Sequence, residues 1–127
     1  MDNRPPKPLK SKPPIKKVTV RLPAELKQQL PLKILSDRYN MREKSKWVVE
    51  AVRSLMRLPD WEGALLSEAL TKTDAQDVFT MPTELVEEMN REVARLAMEK
   101  PSLNASQSAI IRAAINRRVL GIFTLVE

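Results

Sequence analysis

The chain has 127 residues, 43% of them hydrophobic, which suffices for one ordinary domain or for two very small ones that share a core. It contains no cysteine and no histidine, which excludes disulfides, thiol catalysis, zinc ligation by these residues and histidine acid–base chemistry. Its two glycines form no phosphate-binding loop, and we expect no cofactor, no metal and no enzymatic activity.

Positive charge is concentrated in the first half of the chain. Residues 1–59 carry 15 basic and 5 acidic side chains, whereas residues 60–99 carry 3 and 10, and residues 100–127 carry 4 and 1. Basic segments attract polyanions, although a solvated surface of uneven charge would give the same numbers. No run is long enough for a membrane span and the N-terminus does not resemble a signal peptide, so we expect a cytoplasmic protein with no membrane partner.

The first 15 residues are basic and rich in proline, with few apolar groups. Such a segment buries too little apolar surface to offset its ordering entropy, so residues 1–15 are predicted to form a disordered tail. The tail could be an arm that reaches DNA phosphates or a segment that only keeps the protein soluble, and composition favours neither.

Residues 17–23 predict a strand with one apolar and one polar face, because apolar and hydrogen-bonding side chains alternate along it. Pro23 ends the strand and suits the start of the helix that follows. A lone strand leaves its backbone groups unpaired, so a partner strand must come from elsewhere in the chain or from another copy. The apolar set is Val18, Val20 and Leu22, and the polar set is Lys17, Thr19 and Arg21.

Two helices are predicted after this strand, over residues 24–39 and 43–58. Pro31 predicts a kink or a late start in the first helix, and Asn40 predicts a left-handed end. A short helix capped by Asp60 is predicted within a linker. The apolar faces comprise Leu26, Leu30, Ile34 and Leu35 in the first helix, Trp47, Val48, Ala51, Val52 and Leu55 in the second, and Trp61, Leu65, Leu66 and Leu70 in the linker.

The same pattern then repeats in the second half. Residues 76–82 match residues 17–23, with Pro82 in the place of Pro23, and an acidic amphipathic helix is predicted over residues 83–99. Ser106 is a good N-cap for a last helix that Gly121 should end. The apolar positions are Phe79 and Met81 in the strand, Leu85, Met89, Val93 and Leu96 in the acidic helix, and Ile110, Ile111, Ala114 and Ile115 in the last helix.

This order of strand, proline, helix, turn and a helix with Ser-x-apolar-apolar near its start resembles the ribbon-helix-helix fold of the Arc, MetJ and CopG repressors, over residues 17–56 and 76–119. Its tandem form is similar to the TraY proteins of conjugative plasmids, as is the segment Leu58-Pro59-Asp60-Trp61. The resemblance implies a mainly α fold with a short two-stranded antiparallel β-ribbon. The tandem repeats, residues 16–58 and 74–121, would form a single-chain pseudo-dimer, joined by a helical linker, residues 59–73, and followed by an apolar tail, residues 122–127.

The resemblance further implies sequence-specific binding of double-stranded DNA through a β-ribbon in the major groove. Such a protein would be a transcriptional regulator, for example a repressor, or a relaxosome accessory protein of a mobile element. Arg21 suits guanine and Gln76 suits adenine. The implied base-contacting residues are Lys17, Thr19, Arg21, Gln76, Val78 and Thr80. The implied phosphate-contacting residues, at the starts of two helices, are Lys44, Ser45, Lys46, Ser106, Gln107 and Ser108.

Two features depart from a symmetric dimer. Asp77 stands in the place of Val18, so we expect the second strand to start late or fray and the carboxylate to repel a nearby phosphate. The two strands carry different polar residues, so the DNA site should be asymmetric.

A protein-interaction module remains the alternative, namely an antitoxin that autoregulates its operon. The acidic helix of residues 83–99 or the tail of residues 122–127 would then offer the partner surface. Further copies on adjacent DNA sites and a relaxase are the other protein partners that the resemblance suggests.

Overall fold

The computed structural model describes residues 14–121, so the predicted apolar tail of residues 122–127 and most of the predicted N-terminal tail of residues 1–15 lie outside the described residues. The strands are β1 (Ile15–Leu22) and β2 (Ala75–Pro82). The α-helices are α1 (Ala24–Ser36), α2 (Lys44–Met56), α3 (Thr83–Glu99) and α4 (Gln107–Val119). Shorter 3₁₀ helices span Met41–Glu43, Trp61–Leu70 and Pro101–Leu103.

The two strands pair with each other and confirm the predicted mainly helical fold with a two-stranded antiparallel sheet. The register places Val18 opposite Phe79 and Arg21 opposite Gln76. One face of the sheet carries the predicted apolar residues, which are buried, because side chains alternate along each strand. The buried side chains of this inner face are Val18, Val20, Leu22, Phe79 and Met81, and the half-buried Asp77 lies on the same face opposite Val20.

The helices form a layer beneath that inner face. α2 packs against α4 at its centre, α2 also packs against β2, and α4 packs against β1. The predicted core faces of α2 and α4 are confirmed, since Trp47 and Ile110 have no exposed surface. No helix among residues 14–121 is long and apolar enough to cross a bilayer.

Helix α1 departs from its prediction in three ways. It begins at Ala24 and continues through Pro31, so the expectation of a late start was wrong. Leu35 is 54% exposed and was wrongly assigned to the core face. The helix ends at Ser36 and the left-handed residue is Arg38, not Asn40, whose extended backbone instead begins the next turn.

The connection between the halves also differs from the predicted amphipathic helix. It is a 3₁₀ helix, in which residues three apart share a face, so the i, i+4 spacing used for the prediction does not apply. Trp61 and Leu65 are buried as expected, but Leu66 and Leu70 are 66% and 94% exposed. Glu68, three residues after Leu65, is buried on the same face as Leu65. Asp60 precedes the helix in a left-handed conformation and makes no side-chain capping bond.

Arg118, near the end of α4, joins that helix to α2. Its Nη1 donates a 2.8 Å hydrogen bond to the carbonyl of Trp47 and another, of 3.2 Å, to Glu50. Its guanidinium lies 4.5 Å from the centroid of the Trp47 ring. The Tyr39 hydroxyl donates to the same Glu50 carboxylate, so buried polar contacts supplement the apolar core here.

Candidate nucleic-acid interface

The outer face of the sheet brings together all six residues predicted to contact bases. They form three cross-strand pairs, and five of the six side chains are exposed, with Thr80 half-buried. Side chains directly opposite each other in an antiparallel pair lie close enough to contact the same ligand. The pairs are Lys17 with Thr80, Thr19 with Val78, and Arg21 with Gln76.

The charge of this face is positive, because two of its side chains are cationic and none is acidic. Within residues 14–121, neither Lys17 nor Arg21 forms an ion pair with a carboxylate. Val78, 44% exposed, adds an apolar side chain in the middle of the face. The sheet therefore presents hydrogen-bond donors, acceptors and an apolar contact on a surface that no other residue of the described range covers.

The outer edges of the strands are held by side chains from the helices. Arg112 of α4 donates a 2.8 Å hydrogen bond to the carbonyl of Arg21, and Lys27 of α1 donates a 2.8 Å bond to the carbonyl of Gln76. Each strand of a two-stranded sheet has one edge without a ladder partner. These bonds fix the backbone of the Arg21–Gln76 pair relative to the helix layer.

The start of α2 lies against strand β2. The Nζ of Lys44 is 2.9 Å from Oδ1 of Asp77 and 5.3 Å from the centroid of the Phe79 ring. The hydroxyl of Ser45 accepts a 2.8 Å hydrogen bond from the backbone N–H of Thr80. Both residues, predicted to contact phosphate, thus also secure β2 to α2.

Asp77 does not fray the second strand, which begins at Ala75, so the predicted late start was wrong. Its carboxylate accepts hydrogen bonds from Lys44 and from the backbone N–H of Val78. The ion pair provides the neutralising charge that a carboxylate needs in this half-buried position.

The turn before α2 changes which amides are free at this helix start. Asn40 and Glu43 form a capping box, with the Asn40 side chain accepting from the Arg42 N–H and Glu43 accepting from the Asn40 N–H. The amide of Lys44 donates to the carbonyl of Met41, so this amide is not free to bind a phosphate. The spacing Asn-x-x-Glu is a known capping signal and was present in the sequence.

Lys46, the third residue predicted to contact phosphate in the first half, is exposed. Its Nζ lies 3.7 Å from Glu43, and its side chain is 63% exposed. Exposed ion pairs of this length are weak, so Lys46 can turn toward an incoming phosphate at little cost.

The start of α4 is an ordinary capped helix terminus. Ser106 is the N-cap, as predicted, and its hydroxyl accepts a 3.0 Å hydrogen bond from the Ala109 N–H. Gln107 donates a 3.3 Å bond to the Asn90 side chain of α3, and Ser108 is half-buried. The first amides of a helix have no intrahelical partner, so this terminus offers N–H donors to a ligand.

Asp74, just before β2, is a residue that the sequence patterns missed. Its carboxylate accepts a 2.8 Å hydrogen bond from the backbone N–H of Ala24, the first residue of α1. Pro23, the residue at the N-cap position, provides no capping side chain. The hydrogen bond from Ala24 holds the pKa of Asp74 below its ordinary value, and no local sequence signal links two residues so far apart in the chain.

No group of three or more acidic residues among residues 14–121 could hold a metal ion. Comparisons with models of known families, with curated proteins and with solved structures found no match.

Proposed function

We propose that the protein binds double-stranded DNA in a sequence-specific manner by inserting its two-stranded sheet into the major groove. The observation that carries this proposal is the pairing of all six candidate base-contacting side chains on the outer face of the sheet, opposite an inner face whose buried side chains are apolar. A two-stranded sheet with one bare polar face gains stability from a ligand on that face.

The width of a two-stranded sheet is compatible with insertion into the major groove. Paired strands are about 4.8 Å apart, and the major groove of B-DNA is about 12 Å wide and admits a two-stranded ribbon. Arg21 can then donate two hydrogen bonds to guanine, Gln76 can pair with adenine, and Val78 can contact a thymine methyl group.

We infer that the chain forms a pseudo-dimer of two ribbon-helix-helix repeats. Each half contributes one strand followed by two helices, and each strand packs against the last helix of the other half. The two halves present different polar residues, so the preferred DNA site should lack two-fold symmetry.

The starts of α2 and α4 would flank the ribbon and hold phosphates. Such contacts fix the register of the protein on DNA and add no base preference. In the first half Lys46 and Lys44 would supply the charge, and in the second half Ser106, Gln107, Ser108 and nearby amides would supply neutral donors.

The biological setting that we propose follows from the resemblance. The protein would act in the cytoplasm as a transcriptional regulator or as a relaxosome accessory protein of a mobile element, with further copies or a relaxase as neighbours on DNA. A site located in a promoter would favour regulation, and one located beside a transfer origin would favour DNA processing.

Selection of bound duplexes from a random DNA pool, at near-physiological salt, tests the proposal. We expect a defined, asymmetric motif to be enriched. Failure to enrich any motif would reject sequence-specific recognition, and a palindromic motif would reject the single-chain ribbon, because two identical strands would then be reading the DNA.

A protein partner is the second candidate, and exposed leucines favour it. Leu120 lines an open hollow of about 320 Å³ between the linker helix and α4, and Leu66 and Leu70 are exposed on the same linker helix. Co-expression with the products of neighbouring genes distinguishes the two functions. A stoichiometric complex that forms without DNA would support the antitoxin alternative.

A further inference from the structure

Arg112 connects the linker between the halves to the strand that carries Arg21. Its Nε donates a 2.8 Å hydrogen bond to Glu68 of the linker helix, and its Nη1 donates a 2.8 Å bond to the carbonyl of Arg21. The Arg112 and Glu68 side chains are only 9% and 4% exposed. Asn116, one turn further along α4, donates a 3.3 Å bond to the second oxygen of Glu68.

The planar guanidinium of Arg112 fixes the position of the Arg21 carbonyl relative to Glu68. Both donors of Arg112 belong to one planar group, so Glu68 fixes the plane that holds the Arg21 carbonyl. The backbone of Arg21 is thereby fixed relative to α4, and the origin of its exposed side chain is fixed with it. A lysine could keep the charge opposite Glu68 but has no second donor in a fixed geometry.

Within residues 14–121, the other half has no arginine at the position equivalent to Arg112. Arg112 corresponds to Val49 in the repeated pattern, and Val49 is buried and apolar. The outer edge of β2 is held at Thr80 by the Ser45 hydroxyl and at Gln76 by Lys27, which is exposed. A buried arginine therefore holds the end of β1 that carries Arg21, whereas an exposed lysine holds the paired end of β2.

We propose that Arg112 and Glu68 are positioning residues that set how strongly Arg21 discriminates between bases. This inference rests on the proposed DNA-binding function and deepens it, because it gives the linker helix a role in base recognition. Neither residue contacts DNA: both act through the backbone of β1.

Two variants separate positioning from simple stabilisation. Arg112→Lys keeps a positive charge beside Glu68, and the paired change Glu68→Met with Arg112→Met replaces both charges by apolar groups of similar length. Changing both partners avoids leaving one buried charge unpaired, which would destabilise the fold. Urea unfolding of each variant establishes that it folds.

The measurement is the affinity of each variant for the duplex selected by the wild type and for duplexes changed at one base pair. We expect both variants to keep wild-type affinity for an unrelated duplex and the wild-type salt dependence. Discrimination at the base pair read by Arg21 should fall by at least about threefold, and discrimination at the other base pairs should not change. In an Arg21→Ala background, Arg112→Lys should then cause no further loss of discrimination at that base pair.

Three results would overturn the inference. Wild-type discrimination in Arg112→Lys would mean that only the charge matters, and equal weakening on every duplex would mean a purely structural role. In both cases the proposed function would stand. A wild-type protein without any base preference would instead reject the proposed function together with this inference.

Discussion

The Nζ of Lys44, in the first turn of α2, lies 2.9 Å from the carboxylate of Asp77 in strand β2. The two side chains are 28% and 18% exposed, so the pair is only partly screened by solvent. A carboxylate beside a proposed phosphate contact lowers the attraction of that site for DNA. The pair secures β2 to α2, and under the proposed function it would also weaken the attraction of this site for phosphate.

Asp77→Asn should therefore strengthen binding to all duplexes, whatever their sequence, because Lys44 becomes available to a phosphate and a repulsive charge is removed. The slope of the logarithm of affinity against the logarithm of salt concentration should steepen by about one. Fluorescence anisotropy titrations at several salt concentrations measure both quantities. Glu87→Gln, which changes the net charge equally on the exposed face of α3, is the matched control and should change neither by as much.

Lys46→Ala should weaken binding to all duplexes and flatten the salt slope by about one, the effect of losing one phosphate contact. Lys44→Ala should flatten it by less, because the ammonium of Lys44 is already paired with Asp77. The same titrations compare the two variants. A larger effect from Lys44 than from Lys46 would mean that the Lys44–Asp77 pair opens fully on DNA.

Phe79→Ala should destabilise the fold by about 3–5 kcal/mol, because the side chain is fully buried on the inner face of the sheet. Val78→Ala, at the neighbouring position on the outer face, should leave stability nearly unchanged and weaken DNA binding instead. Urea unfolding and DNA titration of both variants test this. Comparable losses of stability would contradict the register of β2.

Asp74 gives a pH dependence of stability whose sign follows from its lowered pKa. The carboxylate is favoured in the folded state, so its contribution is present above the ordinary value of 3.8 and is lost as the pH falls through the depressed pKa. Asp74→Ala should be less stable than the wild type at neutral pH, and the difference should shrink in acid.

Asp74→Asn provides the control for that pH dependence. Its amide oxygen can still accept the hydrogen bond from Ala24 but does not titrate, so its advantage over Asp74→Ala should not vary with pH. Urea midpoints between neutral pH and about pH 3 make the comparison. A gap between wild type and Asp74→Ala that is constant down to that pH would contradict the role given to the carboxylate.

Much of the fold was predictable because local patterns set it. Alternation of apolar and polar residues identified both strands, and Pro23 and Pro82 marked where they give way to helices. The bounds of α3 were predicted as residues 83–99 and confirmed as such, since its apolar spacing is regular and its first turn follows a proline. The same alternation placed the six candidate base-contacting residues on one face.

The remainder depended on contacts between residues far apart in sequence. Glu68 is buried because Arg112 and Asn116 of α4 bind it, and the residues next to Glu68 in the sequence do not predict these contacts. The sequence predicted that Lys44 is available to a phosphate, but in the fold it forms an ion pair with Asp77. The exposed Leu66 and Leu70 were assigned to the core because an α-helical period was applied to a 3₁₀ helix.

The most direct test of the account compares the motif selected from a random duplex pool by the wild type with that selected by Arg21→Ala. Arg21 lies on the outer face opposite Gln76, so its loss should cost about 1–3 kcal/mol on the wild-type site and should relax the preference at one base pair, with the rest of the motif unchanged. An unchanged motif in Arg21→Ala would show that the outer face of the sheet does not read the DNA, and would contradict the account.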